Sequence, residues 1–160
     1  LALAVEVGGR DVTIFAEITL EDAARACGNR ADVDALAARD AEVQAYAAAA
    51  SAGHTLIDDG ALLLHCPRIC NAYVGARALV RASTVTDATV LSSALSPTEI
   101  TGGSLVENSL VQWGCAVHSM AIVSGSLMCA ASHVEHVSRI QWHLHRHQAA
   151  LHHHRASGDL

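Results

Sequence analysis

The chain has 160 residues, a length that fits one domain, and 51% of them are hydrophobic while only 3% are aromatic. Its formal net charge of −6 argues against non-specific binding to nucleic acid, which depends on dense positive charge. No apolar run reaches the ~20 residues that span a bilayer, so no membrane partner is expected. The 31 alanines predict a thin core of small side chains.

The first predicted elements are two short strands. Residues 1–18 alternate weakly between apolar and polar positions, and Gly8 and Gly9 interrupt the alternation. This pattern is typical of two strands around a turn. Leu1 stands where Met is expected, which indicates a piece of a longer chain.

Two helices follow within residues 19–53. Thr19 can cap the first helix, Asp22 occupies the capping-box position, and Gly28 can end the helix. Asp32 can cap the second, whose apolar residues recur near the helical period. We therefore expect a helical hairpin with an alanine-rich apolar face.

The periodicity changes from residue 61 to a six-residue repeat, which residues 92–104 interrupt. An aliphatic residue at the first position and a small one four positions later would both point into a narrow prism. This arrangement predicts a parallel β-helix, in which each short strand stacks on its equivalent in the next coil. The first positions are Val74, Val80, Thr86, Leu105, Val111, Val117, Val123 and Cys129.

The repeat resembles that of the hexapeptide-repeat, left-handed β-helix superfamily. This superfamily includes bacterial acyltransferases and the carboxy-terminal domains of sugar-phosphate nucleotidyltransferases. Four segments look more narrowly like an uncharacterised family of large bacterial proteins with a helical insertion between coils: EVGGRDV at 6–12, HCPRICN at 65–71, LSS at 91–93 and SLVQWGC at 109–115. The resemblance covers roughly residues 5–136 and implies coils of three hexads, about 18 residues each.

The expected fold is therefore mainly β, a short left-handed parallel β-helix with an inserted helical hairpin. Residues 1–18 would end a preceding coil, 19–53 would be the insertion, and 54–136 the hexapeptide-repeat β-helix. Residues 137–160 form a histidine-rich tail that is either helical or not native coding sequence, since six of the 11 histidines lie between His143 and His154.

The tail predicts a short C-terminal helix because its apolar residues fit one helix face. This face contains Ile140, Leu144, His147 and Leu151. Glu135, Gln141 and His147 stand at the next first positions, where they could not fill an apolar prism. The repeat is therefore expected to stop near His136.

A coil of about 18 residues would bring a Cys/His cluster together. His118 and His136 are separated by this length and should share one face, one rung apart. Cys115 and His133 have the same separation and should both point inward. Glu135 lies between the two later histidines and completes the cluster.

The acyltransferase interpretation makes His118 the catalytic general base. It would remove a proton from an acceptor hydroxyl or amine that attacks a thioester, with acyl-coenzyme A as co-substrate and no bound cofactor. Asn108, Ser109 and Gln112 are expected nearby as polar groups that orient the substrate. The acceptor would be a sugar nucleotide or a related small metabolite.

Two other interpretations stay open for the histidines. In the first, His118, His133 and His136 hold zinc, as in the β-helical carbonic anhydrases that the fold resembles. An inward His133 would spoil that geometry. In the second, His118 and His136 are exposed ladder residues and His133 closes the core, so that the domain is a non-catalytic assembly module.

Three further residues are candidate substrate contacts. Trp113 stands at a predicted corner, where it would stack on a nucleotide or cover the base of the helical insertion. Arg77 and Arg81 are expected at the corners of consecutive coils, where they would hold a phosphate or simply be solvated. Because the chain has no lysine, a P-loop or a lysine-dependent nucleotidyl-transfer centre is excluded within it.

The five cysteines have irregular spacing and no recognisable signal peptide precedes them, which predicts reduced thiols in the cytoplasm. Open ends of a β-helix expose unpaired strand edges. We therefore expect a partner, either in a homotrimer such as the acyltransferases form or as the remainder of a longer chain.

Overall fold

The computed structural model of the chain describes residues 2–4, 11–29, 31–50, 54–141 and 144–145. Its main body is a parallel β-solenoid of about five turns, and two helices lie N-terminal to it. The predicted parallel β-helix architecture is therefore confirmed.

The N-terminal part begins with an antiparallel pair, β1 (Ala2–Ala4) and β2 (Asp11–Thr13). The helices are α1 (Leu20–Gly28) and α2 (Val33–Ala50). Neither helix has the length and apolar character of a membrane span. That residues 1–18 end a preceding coil stays a prediction, because the parallel pairing that joins coils begins only after α2.

Both helix caps are those that the sequence predicted. The Thr19 hydroxyl accepts a hydrogen bond from the Asp22 amide at 3.1 Å, and the Asp22 carboxylate accepts one from the Thr19 amide at 3.3 Å. The hydrogen bonds from Thr19 to this exposed carboxylate hold the pKa of Asp22 below its usual value. At the second helix, Asp32 accepts a hydrogen bond from the amide of Ala35 at 3.0 Å.

The solenoid consists of short strands that follow one another around the coils. In chain order they are β3 (Leu56–Ile57), β4 (Leu62–Leu64), β5 (Arg68–Val74), β6 (Leu79–Arg81), β7 (Thr84–Val90), β8 (Glu99–Thr101), β9 (Leu105–Glu107), β10 (Leu110–Val111), β11 (Ala116–Val117), β12 (Ile122–Ser124), β13 (Leu127–Met128), β14 (His133–Val134), β15 (Arg139–Gln141) and β16 (Leu144–His145).

These strands stack into three faces. Face A contains β9, β12, β15 and the first parts of β5 and β7, and face B contains β3, β10, β13, β16 and the last parts of β5 and β7. Face C contains β4, β6, β8, β11 and β14. The chain visits the faces in the order C, A, B in each coil.

The regular coil is one residue shorter than the three hexads that the sequence predicted. Leu110 pairs with Leu127 and Ala116 pairs with His133, and these pairings define the length of one coil. The step from face A to face B takes only five residues, as from Val106 to the next buried position, Val111. One of the three hexads is therefore a pentad.

The shorter step changes which side chains fill the prism. Thr86 and Leu105, assigned to the apolar first position, point outward and are half-buried, whereas their neighbours Val85 and Val106 are fully buried. On face A the predicted inward positions are therefore wrong by one residue at Thr86 and Leu105, whereas the prediction for Val123 is confirmed. The side chains of all three faces that fill the prism are those of Val74, Val80, Val85, Val90, Ile100, Val106, Val111, Val117, Val123, Met128, Val134 and Ile140.

Serines fill the corners of the prism. Ser104 and Ser126 each donate a hydroxyl hydrogen bond to a nearby backbone carbonyl. Their amides in turn donate to Ser83 and Ser109 of the preceding coil, at 3.2 and 3.1 Å. These bonds satisfy buried backbone groups where the strands end, which explains the serine-rich composition.

The N-terminal segment packs on the outside of face B. Val12, Ile14 and Ile18 form a second apolar cluster with Leu127 and Cys129. This cluster explains why Cys129, a predicted prism residue, is buried outside the prism.

The predicted C-terminal helix is wrong for the residues that the structure describes. β15 continues face A, and Ile140 is buried in the prism because it follows Val134 by the regular six residues. β16 likewise pairs with β13 on face B. The remainder of the predicted helix, including His147 and Leu151, lies outside the described residues.

Candidate functional site

The outer surface of face C carries a column of polar side chains. Val117 pairs with Ile100 on one side and with Val134 on the other, so that the next residue along, His118, lies between Thr101 and Glu135. Arg81 precedes Thr101 in the same column. Strand stacking therefore places Arg81, Thr101, His118 and Glu135 on successive rungs of face C.

His118 is the best-defined member of this column. Its side chain is partly exposed, and its Nδ1 lies 2.6 Å from Oγ1 of Thr101, which is buried beneath it. When Nδ1 carries the proton and donates a hydrogen bond to Oγ1 of Thr101, Nε2 keeps its lone pair. No residue in the described part of the chain forms a hydrogen bond with this Nε2. The arrangement can therefore accept a proton from an external group.

His133 faces solvent and not the prism, contrary to the prediction. In the shorter coil it is equivalent to Ala116, an outward position, and Val134 takes the inward one. Its ring centroid lies 5.5 Å from that of His118 with the planes tilted by 49°. Its Nε2 lies 3.1 Å from Oε2 of Glu135.

His136 is not the equivalent of His118, which is a second consequence of the shorter coil. It stands at the corner after face C, where its φ is 61°, and the amide of the following residue bonds to Ser119 of the preceding coil. Its Nε2 lies 3.0 Å from Oε1 of Glu135. The hydrogen bond from His133, followed by the charge of His136, holds the pKa of Glu135 below its usual value.

The structure does not support a three-histidine metal centre. Within the residues it describes, no three His, Cys, Asp or Glu side chains are grouped so as to hold a metal ion. His133 and His136 both direct Nε2 at Glu135, and His118 directs Nδ1 at Thr101. The three rings are therefore not oriented towards the common centre that zinc requires.

Cys115 lies inside the solenoid, as predicted, and apart from the surface histidines. Its Sγ lies 3.2 Å from the carbonyl oxygen of Cys129. Burial raises the pKa of Cys115 to about 11. A thiol with this pKa stays protonated near neutrality, so Cys115 is a poor nucleophile.

The three predicted polar neighbours of His118 are not brought to it. Asn108 is exposed at the corner between faces A and B, with φ of 44°, and Ser109 is buried in that corner. Gln112 is buried at the end of face B. Its Nε2 donates to the carbonyls of Ala16 and Ile18, at 3.0 and 2.9 Å, and so ties the N-terminal segment to the solenoid.

The other candidate contacts occupy different places. Trp113 is partly exposed at the corner between faces B and C, and its role there stays a prediction. Arg77 is exposed at the corner between the same two faces in an earlier coil, with its side chain against Gly60. Arg77 precedes β6 and Arg81 is the last residue of β6, so both belong to a single coil and their prediction at the corners of consecutive coils is wrong.

Thr101 is the site residue that sequence reasoning missed. It lies in the stretch that interrupts the repeat, where a six-residue alignment cannot assign it a position. It precedes His118 by one regular coil, and this separation carries the signal. The relation between Thr101 and His118 can be recognised only when the length of the coil is known.

Comparison with known proteins identifies a family. No curated protein and no solved structure matches the chain. One family model, described as a domain of unknown function (DUF4954), matches residues 1–147, which is most of the sequence. The chain therefore belongs to the DUF4954 family, here with the fold of a parallel β-solenoid.

Proposed function

We propose that face C is a transferase site, and that the solenoid moves an acyl group from a thioester to a hydroxyl or amine of a small metabolite. The observation that carries this proposal is the oriented imidazole of His118. Its Nδ1 lies 2.6 Å from Oγ1 of Thr101, while Nε2 has no hydrogen-bond partner among the described residues. An imidazole held in one orientation is well suited to general-base catalysis.

The chemistry needs no group beyond the two substrates. Nε2 of His118 takes the proton of the acceptor hydroxyl or amine as the acceptor attacks the thioester carbonyl. The tetrahedral intermediate collapses, the carbon–sulfur bond breaks, and the imidazolium returns the proton to the leaving thiolate. Thr101 keeps the ring in one orientation throughout the cycle.

Neighbouring side chains supply charge for substrate recognition. Arg81 lies two rungs from His118 in the same column, at a distance of about 10 Å from strand spacing alone. This distance suits a phosphate or carboxylate of a nucleotide-linked substrate. On the other side, Glu135 and His133 form a polar border.

A second wall is needed to enclose substrates on this open face. We expect a neighbouring subunit of a homotrimer, or another part of a longer chain, to supply it. Acyl-coenzyme A is the proposed co-substrate, and a cytoplasmic location would provide it.

A non-catalytic assembly role is the second candidate, because the first described coil has apolar side chains that are exposed to solvent. Leu56, Ile57, Leu62 and Leu64 are all exposed. Among the described strands, β3 pairs only with β5 and β4 pairs only with β6, so one edge of each offers unpaired backbone groups. Such an end can add further strands from a partner.

Release of coenzyme A separates the two candidates. We expect the wild-type chain to release it from at least one member of a panel of short and long acyl thioesters, offered with amino-sugar and hydroxyl-sugar nucleotides. His118→Ala should lower kcat/KM at least about a hundredfold, because it removes the proton acceptor.

The matched control is His136→Ala, which removes an exposed histidine that contacts Glu135 but not His118. This variant should keep most of the activity. Equal turnover by wild type and His118→Ala would overturn the residue assignment. Absence of turnover across the panel would overturn acyl transfer and favour assembly.

A further inference from the structure

A cleft of about 460 Å³ lies between α1, α2 and the segment after β2. Its apolar lining includes Phe15, Leu36, Val43 and Tyr46, and Arg39 is among its polar residues. No residue of face C contributes to the lining, so the cleft is independent of the proposed transferase site.

Arg39 has hydrogen-bonding capacity that the described part of the chain leaves unused. Its Nη1 donates to the carbonyl oxygen of Thr13 at 2.9 Å, and Asp40 lies 3.8 Å from the same nitrogen. Its Nη2 is enclosed and has no hydrogen-bond partner among the residues that the structure describes. A buried guanidinium N–H without an acceptor is unfavourable, so an acceptor supplied by a ligand would stabilise this arrangement.

The carboxylates of the lining do not supply that acceptor. Asp22 accepts hydrogen bonds from both the amide and the hydroxyl of Thr19 and also pairs with Arg25 at 3.5 Å. Glu42 lines the cleft and is exposed, and it forms no ion pair with Arg39 in the described structure. Their negative charges repel a doubly charged group such as a phosphate more strongly than a singly charged one.

Another part of the lining suits a planar apolar group. The rings of Phe15 and Tyr46 are 5.6 Å apart with their planes inclined at 60°, and Val43 is buried next to them on α2. Aromatic pairs of this kind provide apolar contact area with a defined geometry. The cleft is also large enough for a small organic molecule.

We propose that this cleft binds a small organic carboxylate with a planar apolar body. The carboxylate faces the guanidinium of Arg39, and the apolar body packs against Phe15 and Tyr46. Arginine is well matched to carboxylates because its planar N–H groups can donate two parallel hydrogen bonds. The helical part of the chain would then be a ligand-binding unit attached to the solenoid.

Calorimetric titration of the full chain with 2-naphthoate tests the proposal, with 2-naphthamide and 2-naphthyl phosphate as matched probes. We expect saturable 1:1 binding of the carboxylate, with the amide and the phosphate each at least about tenfold weaker. Binding of the amide with equal affinity would overturn the role of the charge. Tighter binding of the phosphate would overturn the assignment to a carboxylate.

Two variants on α2 locate the site without removing a buried contact. Ala35 lines the cleft and is exposed, whereas Ala38 is exposed on the same helix outside the lining. Ala35→Glu should weaken naphthoate binding at least about tenfold through charge repulsion, and Ala38→Glu should leave it unchanged. No binding to the wild type, or equal loss in the two variants, would contradict the proposal.

Discussion

Replacing Val106 by aspartate is expected to abolish the cooperative unfolding transition of the solenoid. Val106 is fully buried in the prism, stacked between Val85 and Val123 of the neighbouring coils. A carboxylate at this position has no partner, and burying it costs about 4 kcal/mol or more. Since small domains have about 5–15 kcal/mol of stability in total, circular dichroism should show no folded baseline or a strongly reduced melting temperature.

The adjacent residue provides the control for this variant. Leu105 points outward and is half-buried, so Leu105→Asp should retain a cooperative transition with a loss of about 1 kcal/mol. The pair also tests the coil register directly, because a strict six-residue repeat places Leu105 inside. Unfolding by Leu105→Asp together with tolerance of Val106→Asp would contradict the register of the structure.

Replacing Gln112 by alanine should release the N-terminal segment from face B. The side chain donates to the carbonyls of Ala16 and Ile18, and its Oε1 accepts from the amide of Ala130 at 3.0 Å. Truncation leaves all three backbone groups without these partners, at a cost of about 3 kcal/mol in the docking of the segment. Hydrogen exchange should show loss of protection over residues 12–28.

Two controls accompany this experiment: the solenoid of the same variant and a substitution at an exposed glutamine. Apart from the Ala130 amide, protection over residues 99–134 should stay close to wild type, since the Gln112 side chain lies between the N-terminal segment and the solenoid and not in the prism. Gln44→Ala removes an exposed glutamine of α2 and should change neither region. Equal loss of protection throughout the chain would show that Gln112 supports the solenoid itself.

The architecture was predictable because the prism is narrow. Small aliphatic side chains fill most of the inward positions, so the valines recur at nearly constant spacing and reveal the solenoid. The helix caps were predictable for a similar reason, since Thr19, Asp22 and Asp32 act on amides within a few residues. In both cases the signal is local in the sequence.

The register was not predictable from the repeat alone. On face A, Leu105 and Val106 are both apolar, so composition does not show which one points inward. The five-residue step to face B settles it, and that step depends on how the corner at Asn108 turns with a positive φ. The predicted coil is one residue too long. The predicted inward position of His133 and the predicted equivalence of His136 with His118 are therefore both wrong.

Contacts between distant segments were also beyond the sequence. Gln112 bonds to Ala16 and Ile18, which belong to the N-terminal segment before the first helix. From the sequence, a glutamine within a repeat is equally compatible with a surface position that contacts a substrate. Only the packing of the N-terminal segment on face B shows that Gln112 is buried against it.

The protonation state of His118 tests the central claim most directly. Side-chain nitrogen chemical shifts of the ¹⁵N-labelled chain, recorded at a pH where the imidazole is neutral, report which nitrogen carries the proton. The account predicts a proton on Nδ1, donated to Thr101, and a bare Nε2, with loss of this preference in Thr101→Val. A proton on Nε2 in the wild-type chain would contradict the assignment of His118 as the general base.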